Sequence, residues 1–155
     1  MKRSILWPLA ALIALIGWCG VPREATRGQV EHGSLHDIRI YAYRDWQSTG
    51  LRVRKDDLVT VEAAGEWTYT PGEVHGPEGH PVYLAPRFYP LPSVRGGVLI
   101  GRIGEEGSDV FQVGRFMRRQ AEADGFLYLR INDDILSDNE GHVTIEIEVR
   151  SADAD

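Results

Sequence analysis

Cysteine is almost absent from this chain of 155 residues. The one thiol, Cys19, closes an apolar N-terminal run, so no disulfide can form inside the domain that follows, and its stability must come from a packed core or a ligand. Positive charge is also scarce, with 17 lysines and arginines against 23 acids. Residues 1–19 hold Lys2 and Arg3 and no acid, so without them 15 basic face 23 acidic residues and the net charge is −8. Nucleic-acid affinity rests on cations that neutralise phosphates, so this balance argues against such partners and for cations or neutral ligands. The cluster of Arg115, Arg118 and Arg119 is a local exception, read as a solvated strand end or turn rather than an anion site.

Catalytic signatures are missing too. There is no Gly-x-Ser-x-Gly elbow, no Gly-x-x-x-x-Gly-Lys phosphate loop and no His-Glu-x-x-His, so an enzyme is not expected. The glycines of "GGVLIGRIG" lie in an apolar, strand-like run and point to bends or close backbone packing. His75 and His80 in "HGPEGH" read first as loop histidines, with metal binding or substrate polarisation as the sharper alternative. A glycosidase would need two carboxylates across a sugar, for which Glu73, Glu78, Asp133 and Asp138 are available.

The opening "MKRSILWPLAALIALIGWCG" places two cations before the uncharged run Ile5 to Trp18, the layout of an export signal. Those 14 residues fall short of a plain membrane-spanning helix. Three readings stand: lipid modification at Cys19, a cleaved secretory signal, or an uncleaved anchor. Trp18 is large for the position before a lipidated cysteine. Each reading puts the domain outside the cytoplasm, in the periplasm, at the cell surface or secreted, with membrane contact only through this segment. Residues 20–37 are polar and rich in small side chains, and read as a tether. A domain is expected over 38–150 and a short tail over 151–155.

No segment shows a sustained helical period, and no internal repeat is visible. Instead, "IRIYAY" (38–43), "LVTVEA" (58–63), "EWTYT" (66–70), "VLIGRI" (98–103), "VFQVGRF" (110–116), "FLYLRI" (126–131) and "VTIEIEV" (143–149) are rich in branched and aromatic residues, and Gly, Pro, Asp and Asn separate them. In the last, Val143, Ile145, Ile147 and Val149 alternate with polar residues, so one face enters a core. Many short strands with frequent turns predict an all-β sandwich.

Six of the nine residues from Asn132 to Glu140 carry a carboxylate or an amide. Asn132, Asp133, Asp134, Asp138, Asn139 and Glu140 are hard oxygen donors of the kind calcium takes, although the spacing is not that of a helix-loop-helix calcium loop. Aspartate and asparagine also cap their own turns, which is the plainer explanation.

The order of "TGLRVRKDDLVTVEAAGEWTYTP", "HGPEGHP", "GGVLIGRIG" and "GFLYLRINDDILSDNEGHVTIEI" resembles the PA-IL-like lectins, calcium-dependent galactose-binding proteins of bacteria with a small jelly-roll sandwich, galactose-binding-domain-like in architecture. The resemblance implies a calcium ion held by the Tyr69 carbonyl, the Asp133 carboxylate, a carbonyl of the loop (Ile135 or Ser137), and the neighbours Asp138 and Asn139. Asp138 stands where the family has asparagine and adds a negative charge. The loop is two residues shorter than the family's.

The same resemblance implies that sugar hydroxyls complete the calcium shell beside Asp138 and Asn139, and that His80 orients the ring. Tyr83 occupies the place of a family glutamine, in a loop three residues shorter, and offers stacking or its hydroxyl. His75 stands where the family has tryptophan. The expected function is calcium-dependent recognition of a carbohydrate, galactose-like or another glycan. The resemblance implies oligomers, whereas a tethered domain can act alone. The competing expectation is a structural or protein-interaction module of the cell envelope, in which calcium only staples loops.

Overall fold

A computed structural model describes residues 33–70 and 72–152. The apolar N-terminal segment with Cys19, the tether as far as residue 32 and the end of the tail lie outside the described residues. The described residues form nine strands: β1 Gly33–Tyr41, β2 Gln47–Val53, β3 Leu58–Thr70, β4 Glu73–His75, β5 Leu99–Ile103, β6 Val110–Gln112, β7 Phe116–Gln120, β8 Gly125–Ile131 and β9 Glu140–Arg150. All their pairings are antiparallel. One sheet runs β1-β9-β3-β4, with β7 also on β3, and the other runs β2-β8-β5-β6. No helix occurs among the described residues. The protein is an all-β sandwich.

The period-two pattern explains the core. In β9, Val143, Ile145, Ile147 and Val149 turn inward, and in β3 so do Val59, Val61, Ala63, Trp67 and Tyr69. Leu51, Val53, Leu99, Ile103, Leu127, Leu129 and Ile131 meet them from the other sheet in one cluster. Each large side chain buried this way stabilises the fold by about 1.5–3 kcal/mol, against the entropy of ordering the chain. Without a disulfide in the domain, this cluster is the main stabilising element.

Four boundaries differ from the sequence reading, each for a local reason. Strand β1 begins at Gly33, so residues 33–37 are not tether: Gly33 pairs with Val149 at the far end of β9. The register slips between Leu35 and Ile38, where Asp37 takes φ 59°, and this bulge hides the alternation. The segments 58–63 and 66–70 are one strand, because Gly65, at φ 101°, bends the chain without breaking its pairing to β9. At that bend the other edge of β3 changes partner, from β7 to β4.

The segment 110–116 is the converse. Gly114, at φ 65°, divides it, and β6 and β7 join different sheets. Strand β2 had no apolar signature to announce it. Within it Thr49 Oγ1 donates to the Leu127 carbonyl at 2.9 Å, so a buried hydroxyl supports an irregular pairing.

Candidate functional site

Strands β3 and β9 pair without a slip from Leu58 opposite Arg150 to Thr68 opposite Glu140. The next positions along the two strands are Tyr69 and Asn139. The ladder therefore ends by setting the Tyr69 backbone beside the end of the acidic loop that joins β8 to β9.

Within that loop Asp133 and Asn139 are buried, at 4% and 3% exposure, whereas Asp134, Ile135, Ser137 and Asp138 face solvent. Asn139 Nδ2 donates to Asp133 Oδ2 at 2.8 Å and lies 3.3 Å from the Ile135 carbonyl and 3.5 Å from that of Ala42. Two oxygens of the loop and the distant Ala42 carbonyl thus converge on one amide nitrogen. Asn139 Oδ1, by contrast, is buried with no hydrogen-bond partner. Buried polar atoms are nearly always paired, so this oxygen calls for an explanation. Of the two candidate carbonyls, Ile135, not Ser137, is the one that meets Asn139.

Asp133 has further partners. Its Oδ1 accepts from the Asp134 amide at 2.8 Å, and its carbonyl accepts from Arg130 Nη2 at 2.7 Å. The buried Arg130 also bonds Asp45, tying the start of β2 to this loop. The Tyr89 hydroxyl sits 3.0 Å from the Tyr69 hydroxyl and interacts favourably with the ionised Asp133 carboxylate. Burial pushes the Asp133 carboxyl above the ordinary carboxylate range, although hydrogen bonds from Asn139, Tyr89 and the backbone pull it back. The same burial raises the hydroxyls of Tyr69 and Tyr89.

Asn132 serves the scaffold rather than the cluster. Its Oδ1 accepts from Leu91 N at 3.0 Å, and its Nδ2 donates to the carbonyls of Leu91, at 2.8 Å, and Arg95. The turn so clamped leads into Gly96 and Gly97, against which the Tyr69 ring lies: a Cβ on Gly97 would fall 2.7 Å from Tyr69 Cγ. These glycines therefore serve close packing, as their setting in an apolar run implied.

Beside this cluster opens a cleft of about 490 Å³, lined by Tyr69, Thr70, Glu73, His80, Tyr83 and Tyr89. It brings His80 and Tyr83 together with Tyr69, and Tyr89 links its wall to Asp133. His80 Nδ1 accepts from the backbone N–H of Val82 at 3.2 Å and of Tyr83 at 2.8 Å. That nitrogen is therefore unprotonated, and the ring proton resides on Nε2, 3.4 Å from Glu73 Oε2. His75 Nε2 meets the same oxygen at 3.2 Å.

Glu73, His75 and His80 have the composition of a transition-metal site, with one potential ligand atom from each within 4.8 Å of the others. A histidine that binds metal through one nitrogen normally donates a proton from the other. His80 does the reverse, so the cluster is a hydrogen-bond array. The remaining carboxylate candidate, Glu78, is engaged elsewhere: Arg115 Nη2 donates to both its oxygens, at 2.9 and 3.1 Å. Arg119 pairs with Glu122 and stacks on Phe111, so two members of the arginine cluster are occupied by structural contacts.

No protein-family model matches the chain, and no curated protein matches it. A solved structure described as "EclA N-terminal domain; PllA-like lectin" superposes with a TM-score of 0.60 at 21% identity, covering 76% of this chain and 98% of that one. The fold is similar to that of a lectin domain. The neighbour is described as PllA-like, so the likeness is to lectin domains in general and not to PA-IL in particular.

Sequence reasoning missed Tyr89 and Arg130, and it named Glu73 only as a carboxylate available to a glycosidase. No local pattern marks Tyr89, since "RFYPLP" looks like any aromatic turn. Only the folding of residues 81–97 over the end of the sandwich brings it to Asp133.

Proposed function

We propose that the domain is an extracytoplasmic, calcium-dependent carbohydrate-binding module that the N-terminal segment carries out of the cytoplasm. The observation that carries this reading is the unpaired Asn139 Oδ1, buried 3% exposed beside a buried carboxylate. A cation held against this oxygen would give it a partner, and the Asp133 carboxylate and the Ile135 carbonyl, which meet the same amide group, would supply charge and further oxygens. The donors are all hard oxygens, which suits calcium. Asp133, Asn139 and Asp138 with the carbonyls of Tyr69 and Ile135 would hold the ion. Bound calcium supplies exchangeable positions for sugar hydroxyls. His80 would orient the sugar through Glu73, which its Nε2–H faces, and Tyr83 offers a face or a hydroxyl, both from the cleft wall. The likeness to a lectin domain supports carbohydrate as the ligand class.

A glycan array probed with the full chain, in calcium and then in chelator, tests the proposal. Binding that requires calcium and is lost on Asp138→Ala, an exposed position, supports it; sugar binding unaffected by chelator overturns the mechanism. A second reading has its own observation. Asn139 already ties Asp133, Ile135 and Ala42 together, as a structural staple does. Under that reading calcium raises the unfolding temperature, no glycan binds, and the partner is a protein of the cell envelope.

A further inference from the structure

We infer that Glu73 makes this cleft selective for amino sugars, carbohydrates that carry a protonated primary amine; the inference rests on the carbohydrate reading above. Among the residues lining the cleft are Tyr89, which interacts with Asp133 of the oxygen-rich loop, and Glu73, the one carboxylate among the described lining residues, which include no lysine or arginine.

The histidines leave this carboxylate half available. The Val82 and Tyr83 amides fix the His80 proton on Nε2, and both His80 and His75 direct Nε2 at a single oxygen, Glu73 Oε2. No described residue bonds Oε1, and the side chain is half-exposed. An acceptor-only group with one oxygen steadied and the other open selects a donor. A protonated amine is a better one than a hydroxyl, because charge-assisted hydrogen bonds are about twice as strong as neutral ones.

The test is calorimetry on the full chain in calcium with glucosamine, galactosamine and mannosamine, each beside its N-acetyl form and its neutral parent hexose. At least one amino sugar should bind about tenfold more tightly than its two neutral counterparts at neutral pH. That ratio should fall toward one in Glu73→Gln, and in the wild type as pH rises through the titration of the sugar amine. The wild-type pH arm decides the matter should the variant fail to fold. If sugars bind with no preference for the amine, or the preference survives in Glu73→Gln, the inference about Glu73 is overturned and the carbohydrate reading stands. If no sugar binds in calcium, both are overturned.

Discussion

The Tyr69 and Tyr89 hydroxyls lie 3.0 Å apart, and interaction with Tyr89 lowers the Asp133 carboxyl beyond them. The end of β3, the turn before Pro90 and the acidic loop are thus joined by a chain of polar side chains at the rim of the core. Tyr89→Phe removes the middle member and leaves the ring. It should cost about 1 kcal/mol, the net worth of a part-buried hydrogen bond, read from a denaturant midpoint. Because Tyr89 pulls the Asp133 carboxyl down, that group should titrate still higher in the variant, as observed by carboxyl NMR.

The pH dependence of Asp133 follows from its raised value. The folded form holds the proton more tightly than the unfolded chain, whose aspartates titrate near about 3.9. Its contribution to stability is therefore fully present below that value and is lost as pH rises through the folded titration. Asp133→Asn should flatten this part of the profile, and a stability curve from about pH 3 to 7 with and without the substitution measures it. A cation favours the ionised carboxylate, so calcium should stabilise the domain more as pH rises over the same interval.

Asn132→Asp tests the clamp on the turn that carries Gly96 and Gly97. The carboxylate keeps the bond from Leu91 N but faces the carbonyls of Leu91 and Arg95 with no hydrogen to give them. A loss of about 3 kcal/mol is expected, set by two missing donors and a charge in a fully buried position. Chemical denaturation measures it.

Two glycines separate backbone strain from crowding. Gly97, at φ 73°, would place a Cβ against the Tyr69 ring, whereas Gly107, at φ 91°, has nothing within 4 Å of one. Gly107→Ala should cost only the left-handed conformation, about 1–2 kcal/mol. Gly97→Ala adds overpacking, for about 3 kcal/mol or more in all. Thermal unfolding of the two variants gives the comparison, and equal shifts would mean that the Tyr69 ring moves aside freely.

How much was readable beforehand depended on how local the cause was. The alternation of Val143, Ile145, Ile147 and Val149 announced β9 because one core face dictates it. Strand β2 stayed hidden because Thr49 and Gly50 break the pattern while a hydroxyl-to-backbone bond sustains the pairing. At the site, the oxygen-rich loop was plain from composition. Which of its oxygens turn inward was not: Asp133 and Asn139 do, while Asp138 and Ser137 do not, because the loop folds back on itself through the Asn139 amide and no strand period governs it. His80 and Tyr83 could be named, but their meeting with Glu73 depends on a loop whose path no periodicity records.

The bulged first strand settles the domain's bearing toward whatever precedes it. Gly33 lies opposite Val149, near one end of the long strand β9, whereas Glu140, about 30 Å away at some 3.3 Å per residue, begins that strand beside the cleft. Chain arriving at residue 33 therefore joins the pole remote from His80 and Asn139. An anchor at that pole, as proposed, would turn the sandwich's cleft toward the surrounding medium, where ligands on other surfaces come within reach.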